Sequence, residues 1–295
     1  MMVGPRRTTA AFCDEQGNIT TEDIEYTPLR KKYPILGKPF IRGIFSLIDS
    51  FRMGYKALSL SADKLTETDE EEELSGIDKW LTDHLGDKMT SVVMGIASVL
   101  GVALAIGLFF FLPTVLFNLL DSAAGGAIGG WRSIFEGVLR LAIFIGYVFA
   151  VSLIPDIKRT FMYHGAEHKT IFCYEAELPL TVENVRKQSR FHPRCGTSFL
   201  VLMLIIGIIV GFFIPFSNPF LRTFTKILCI PVIMNLGYEL QKACARHENL
   251  LTRIITAPGL WVQRITTKEP DDKMIEAAIA AMEAVIPEHG EDLIA

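Results

Sequence analysis

Cysteine is scarce and unpaired in this chain. The five cysteines, Cys13, Cys173, Cys195, Cys229 and Cys244, are odd in number and scattered. They lack the even, close spacing of a secreted disulfide framework, so a reducing compartment is expected for the loops. Net charge is nearly absent too: 29 Lys and Arg against 33 Asp and Glu leave −4. Nothing there suggests a nucleic-acid partner, and each basic residue has to be weighed by its position. Arg6 and Arg7 are followed by Thr8, Thr9 and a polar run rather than an apolar core, so no cleavable signal peptide is expected and insertion would use an internal segment. No long-period repeat or low-complexity tract is visible.

Apolar residues are what the chain has in excess. Half of its 295 residues are hydrophobic and mean hydropathy is +0.33, too apolar for two soluble domains and pointing to a membrane protein. Four segments are long and apolar enough to cross a bilayer, given the need for roughly 20 residues: about 91–119, 135–155, 198–216 and 223–240. The first holds Gly95, Gly101, Gly107 and Pro113, which permit close helix approach and a kink. The last is the weakest, being short and ending in Asn235, Tyr238 and Glu239. The expected fold is mainly α, a polytopic helical membrane protein of about four transmembrane helices with a small cytoplasmic α+β cap containing a β-hairpin.

Basic residues orient the chain. The loop 156–197 carries Lys158, Arg159, Lys169, Arg186, Lys187, Arg190 and Arg194, whereas 120–134 has only Arg132 and 217–225 only Arg222. By the positive-inside tendency the basic loop faces the cytoplasm and, with four crossings, both termini do as well, in a multi-pass protein of the cytoplasmic membrane. The expected division is a β-rich cap (1–34), an amphipathic helix and acidic linker (35–89), a first transmembrane hairpin (90–155), a metal-site loop (156–197), a second hairpin (198–241) and C-terminal cytoplasmic helices (242–295).

Within the cap, Thr8 to Cys13 and Ile19 to Tyr26 are β-prone runs joined through Gly17-Asn18, the pattern of a hairpin. From Pro39 to Ala62 apolar residues recur at helical spacing but Arg42, Asp49, Arg52 and Lys56 interrupt them. That describes an amphipathic helix lying on the membrane or packed on protein. Glu67 to Glu73 reads as a solvated linker. Ala257-Pro258-Gly259-Leu260-Trp261 reads as a break with an interfacial tryptophan. Pro270-Asp271-Asp272 then starts a helix to about 286 whose apolar face, Met274, Ile275, Ala278, Ile279, Met282 and Val285, needs the cap or a second copy to cover it.

The chemistry-bearing residues lie in the basic loop. His164 and His168 fall one turn apart on a helix, with Glu167 beside them, an H-x-x-E-H arrangement. His192 and Cys195 add a second pair of ligands suited to zinc. In a catalytic arrangement the two histidines bind zinc, a distant carboxylate is third ligand and Glu167 is the base. In a structural arrangement His164, His168, His192 and Cys195 close a four-ligand site. The bland alternative is that these are ordinary loop residues. Glu239, 71 residues beyond His168, returns to the same membrane face and is the candidate carboxylate, with His247 and Glu248 as weaker substitutes. The readings therefore divide between a zinc-dependent hydrolase at the cytoplasmic membrane face and a scaffold for other membrane proteins, either of them a candidate homo-oligomer.

Met1-Met2-Val3-Gly4-Pro5, His164-Gly165-Ala166-Glu167-His168-Lys169, His192-Pro193-Arg194-Cys195-Gly196-Thr197-Ser198 and Pro258-Gly259-Leu260 through Thr266-Thr267-Lys268-Glu269-Pro270 resemble the YqhQ-like bacterial membrane family. The resemblance covers nearly the whole chain. Members of that family carry a glycine-rich Gly-Gly-Gln-Ala-Val-Ile-Glu-Gly stretch ahead of the Met-Met pair, where this sequence starts, a difference that bears on the cap. The family is of unknown function and labelled a predicted metal-dependent enzyme, which implies a metal site at His164, His168, His192 and Cys195 and names no substrate.

Overall fold

Three short strands open the computed structural model, which describes residues 1–13, 17–66, 89–247 and 249–287. The acidic run Glu67 to Glu73 and Glu248 lie outside the described residues. Strands β1 (Met2–Val3), β2 (Thr8–Cys13) and β3 (Ile19–Asp23) form an antiparallel sheet in that order. The expected hairpin pairs Cys13 with Ile19 and Thr9 with Asp23, and β1 adds a third strand through Met2 and Thr9. After a short helix α1 (Leu29–Lys32), helix α2 (Arg42–Thr66) docks its first turn on the membrane bundle while Phe51 and Tyr55 stay exposed.

The bundle begins with α3 (Met89–Ile106), which passes through a π-helical turn, Gly107–Phe111, into α4 (Leu112–Ala123). Pro113 sits just inside α4 and cannot donate to Phe109, the residue one turn back. Arg140 supplies the missing donor, its Nε lying 2.7 Å from the Phe109 carbonyl oxygen. The loop after α4 turns on Gly125 and Gly126, both at positive φ, and leads to α5 (Arg132–Val151).

Among the described residues, three helices are long and apolar enough to cross a membrane: Ser98–Ala123, Gly129–Val151 and Pro219–Arg246. The expected third span, 198–216, yields only the 16-residue α8 (Gly196–Gly211). At roughly 1.5 Å per residue it covers about 24 Å, short of the ~30 Å hydrocarbon layer. Backbone beyond Phe213 leaves the helix, and Pro215 cannot rejoin it. The weakest expected span is instead the longest helix, α9 (Pro219–Arg246, 28 residues). Helix α8 runs antiparallel to α5, Gly211 meeting Ser133 and Gly137 meeting Ile208, and antiparallel to α9, where Gly237 meets Phe199 and Met203.

On the far side of α5 the chain builds a polar-faced layer. Helix α6 (Pro155–Glu175) starts with proline at its first position, where no backbone donor is lost. Then come α7 (Val182–Arg186), α10 (Leu250–Thr266) and α11 (Asp272–Val285). Asp271 caps α11 by accepting from the Met274 backbone N–H at 2.9 Å. The α11 face that lacked a partner in sequence is covered within the chain: Ile275, Ala278 and Met282 pack with Met2 of the sheet, Ala166 and Cys173 of α6 and Val185 of α7. The expected break at Ala257-Pro258-Gly259 does not occur. Helix α10 runs through it, capped by Asn249. Pro258 deprives only the Ile254 carbonyl, on an exposed face of α10, and Gly259 lets the helix touch α8, a Cβ there falling 2.7 Å from Ser198 Cα.

Gly165 marks a second close approach, since a Cβ on it would lie 2.1 Å from the Lys268 carbonyl oxygen, and the Lys268 N–H bonds Phe161 at 2.9 Å. Gly165→Ala is therefore expected to destabilise by about 1–3 kcal/mol, whereas Gly146→Ala, inside α5 with nothing within 4 Å, does not lower the thermal unfolding temperature of the detergent-solubilised protein.

Candidate metal centre

The amphipathic phase of α6 puts His164 and His168 on one face, ring centroids 4.4 Å apart. Each ring is oriented from behind. His164 Nδ1 lies 2.8 Å from the Thr266 carbonyl oxygen and His168 Nδ1 lies 2.6 Å from that of Arg190. A carbonyl only accepts, so both Nδ1 atoms carry hydrogen and both Nε2 atoms are left to face the site. They face Cys195, the N-cap of α8, with His164 Nε2 3.2 Å from Sγ. Ligand atoms of His164, His168 and Cys195 all lie within 4.8 Å of one another. Histidines anchored through Nδ1 to backbone carbonyls beside a thiol are a donor set that fits a thiophilic divalent ion such as zinc.

Cys195 is placed by a buried clamp. Gln263 on α10, with no exposed surface, accepts from the His192 N–H at 2.7 Å and donates to the His192 carbonyl at 2.7 Å and to Ser198 Oγ at 2.8 Å. Gln241 of α9 donates to the Cys195 carbonyl at 3.3 Å, and Thr197 Oγ1 lies 3.3 Å from Sγ. Burial alone would raise the Cys195 thiol, but the bonds from His164 and His168 outweigh it and hold the group down to about 5. Burial acts to lower His164, and the Cys195 contact overrides it, leaving His164 raised.

Other candidates from the sequence are placed elsewhere. His192 stacks against Phe172 and His168, at 4.7 and 5.6 Å between centroids, and turns Nε2 toward Glu175 at 3.5 Å. That Nε2 is buried and makes no hydrogen bond among the described residues beyond this 3.5 Å approach. Glu175, which burial would raise, is held below the usual carboxylate range by His192 and Arg194. Glu167 Oε1 lies 2.5 Å from the Met1 amino nitrogen, so it faces the sheet. Glu239 is bound by Arg42, with Nε 2.7 Å and Nη2 2.5 Å from its oxygens, and serves to hold α2 on α9. His247 caps the end of α9. Gln263 and Thr266 went unseen in the sequence, although Gly259, Val262, Gln263 and Thr266 recur at the spacing of one buried helical face.

In metal-stripped protein, alkylation of Cys195 by iodoacetamide is expected to persist far below the ordinary thiol value of 9.0 and to fall only as pH drops through about 5. Since its folded value is depressed, the thiolate's contribution to stability is full above the ordinary value and is lost as pH falls toward the folded one. A rate that already falls near the ordinary thiol value would contradict this geometry.

No solved structure matches the chain. The Bacillus subtilis (strain 168) protein described as "Uncharacterized protein YqhQ" is 33% identical over 249 residues, covering 84% of this chain and 77% of that one. The family model described as "Protein of unknown function (DUF1385)" matches residues 38–288. That interval takes in the clustered His164, His168 and Cys195, the membrane helices and the clamp from α10, and the chain belongs to the DUF1385 family.

Proposed function

We propose that this protein is a zinc-dependent hydrolase of the cytoplasmic membrane, with its centre at the inner membrane face. The observation that carries the reading is the convergence of two Nε2 atoms and one cysteine sulfur, three candidate ligands rather than four among the described residues, set by backbone carbonyls and a buried glutamine. Zinc held by His164, His168 and Cys195 would supply a Lewis acid, as three-ligand catalytic sites do and closed structural sites do not. Thr266 and Arg190 fix the imidazole tautomers, and Gln263 holds the Cys195 loop in register with α6. Glu167, next to His168, is assigned the proton-accepting role, which requires it to exchange Met1 for the site.

A closed structural zinc in a membrane scaffold is the second reading. It is favoured by one observation, the unpartnered buried Nε2 of His192 beside His168. The two separate in metal content. His164→Ala, His168→Ala and Cys195→Ala each lose zinc from the purified protein in both readings, because one lost ligand forfeits a large part of a binding energy on the order of 10 kcal/mol. His192→Ala keeps zinc only in the open site. Glu167→Gln keeps zinc and fold but fails to complement a deletion strain if it moves a proton. Full complementation at normal expression would sink the hydrolase.

The orientation rests on the basic loop 156–197 and on α8 as a fourth crossing. Its pairing along α5 and α9 supports that role despite its length. An impermeant thiol reagent added to intact cells is expected to label Ala127→Cys in the exposed loop after α4 and to spare Lys187→Cys on the exposed end of α7. The reverse pattern would invert the protein.

A further inference from the structure

Away from the metal centre, the bundle buries more positive than negative charge. Arg222 and Lys226, one turn apart on α9, both bind Glu136 of α5. Arg222 Nε lies 3.0 Å from each carboxylate oxygen and Lys226 Nζ lies 2.5 Å from one. Arg140 is one turn further along α5, twelfth of the 23 residues in the Gly129–Val151 span and so near its middle. All four side chains are buried, with Arg140 at 6% exposure. Three cations against one carboxylate leave two positive charges uncompensated in a low-dielectric interior, which is costly unless something else balances them.

Donor accounting shows where the balance is missing. Arg222 is saturated: Nη1 donates to the Ile214 and Phe216 carbonyls, Nη2 to Ser133 Oγ and the Gly211 carbonyl. Lys226 spends two of its donors on Glu136 and Thr114. Arg140 spends only Nε, on Phe109, and lies over the Phe110 ring at 5.0 Å. Its two terminal amino groups donate to no acceptor among the described residues. Nη1 points past Gly207, whose missing side chain leaves room beside it, a Cβ there falling 3.7 Å from Nη1 and 3.9 Å from Ile233. At the end of α5 away from the metal centre lies a cavity of about 320 Å³ whose charged lining is Asp121, Arg132 and Arg222.

We propose that the bundle binds one small inorganic anion of the halide class, held chiefly by the Arg140 amino groups. Its role is to offset one of the two uncompensated buried charges, and it is independent of the metal centre. The test uses purified full-length protein in lipid nanodiscs, with potassium gluconate replaced by chloride or bromide at constant ionic strength and thermal unfolding followed by intrinsic fluorescence. A saturable rise in Tm with chloride and with bromide is expected, absent in Arg140→Gln and retained in the surface control Lys158→Gln. Because Arg140→Gln can fail to fold, Arg140→Lys is read beside it. It keeps the charge but offers a point donor in place of a planar fork, and half-saturation should rise at least about tenfold. A wild-type Tm indifferent to the anion, or a response unchanged in Arg140→Lys, overturns the proposal.

Discussion

The hydrogen bond from His164 to the Thr266 carbonyl depends on how closely the end of α10 approaches α6, and the candidate metal centre depends on that bond. The approach is permitted by two residues without side chains. Gly165 lets the Lys268 carbonyl rest on α6, and Gly259 lets α10 lie on the first turn of α8. With those contacts made, Thr266 faces His164 and Gln263 faces the backbone of His192 and the Ser198 hydroxyl. Three segments far apart in sequence are thereby held in one arrangement, and each of the three ligands has its own anchor. An imidazole fixed through Nδ1 loses little freedom when its Nε2 takes a metal, which is how such outer contacts raise affinity.

The membrane bundle follows a different constraint, since a polar group inside it has to find its partner within the protein. Pro113 frees the Phe109 carbonyl and Arg140 meets it. Where α8 and its extension end, Ile214, Phe216 and Gly211 have carbonyls to satisfy, and Arg222 meets them while holding Glu136. The short α8 is thus tied at its end by a charged side chain from the next helix. At the other end, Asn235 accepts from the Gly43 N–H at 3.0 Å and Arg42 grips Glu239, so that α2 is hung on the bundle by polar contacts while Ile48, Phe51 and Tyr55 remain exposed. That exposed face is the amphipathic character expected of α2, and it lies on a helix fastened beside the membrane spans.

Local pattern carried much of this. Helical periodicity and the Asp271 cap gave α11 nearly residue for residue, two β-prone runs around Gly17-Asn18 gave the β2–β3 hairpin, and the i, i+4 spacing of His164 and His168 put them on one face, because those signals are set by a few neighbouring residues. Pro258 misled for the opposite reason: a proline weakens one helical bond, and tertiary contact with α8 outweighed that loss. Hydropathy found the apolar segments but could not see that backbone beyond Phe213 would leave the helix, nor that Arg222 would be there to receive it. Composition and spacing by themselves determined that the chain is mainly helical, apolar enough in its long helices to cross a membrane and supplied with histidines and cysteines that could serve as ligands. Only the tertiary structure decided which of those ligands meet. It joined Cys195 to His164 and His168, turned His192 to Glu175 and gave Glu239 to Arg42, because a side chain's partner across tens of residues is chosen by how helices pack and where a missing Cβ lets them touch.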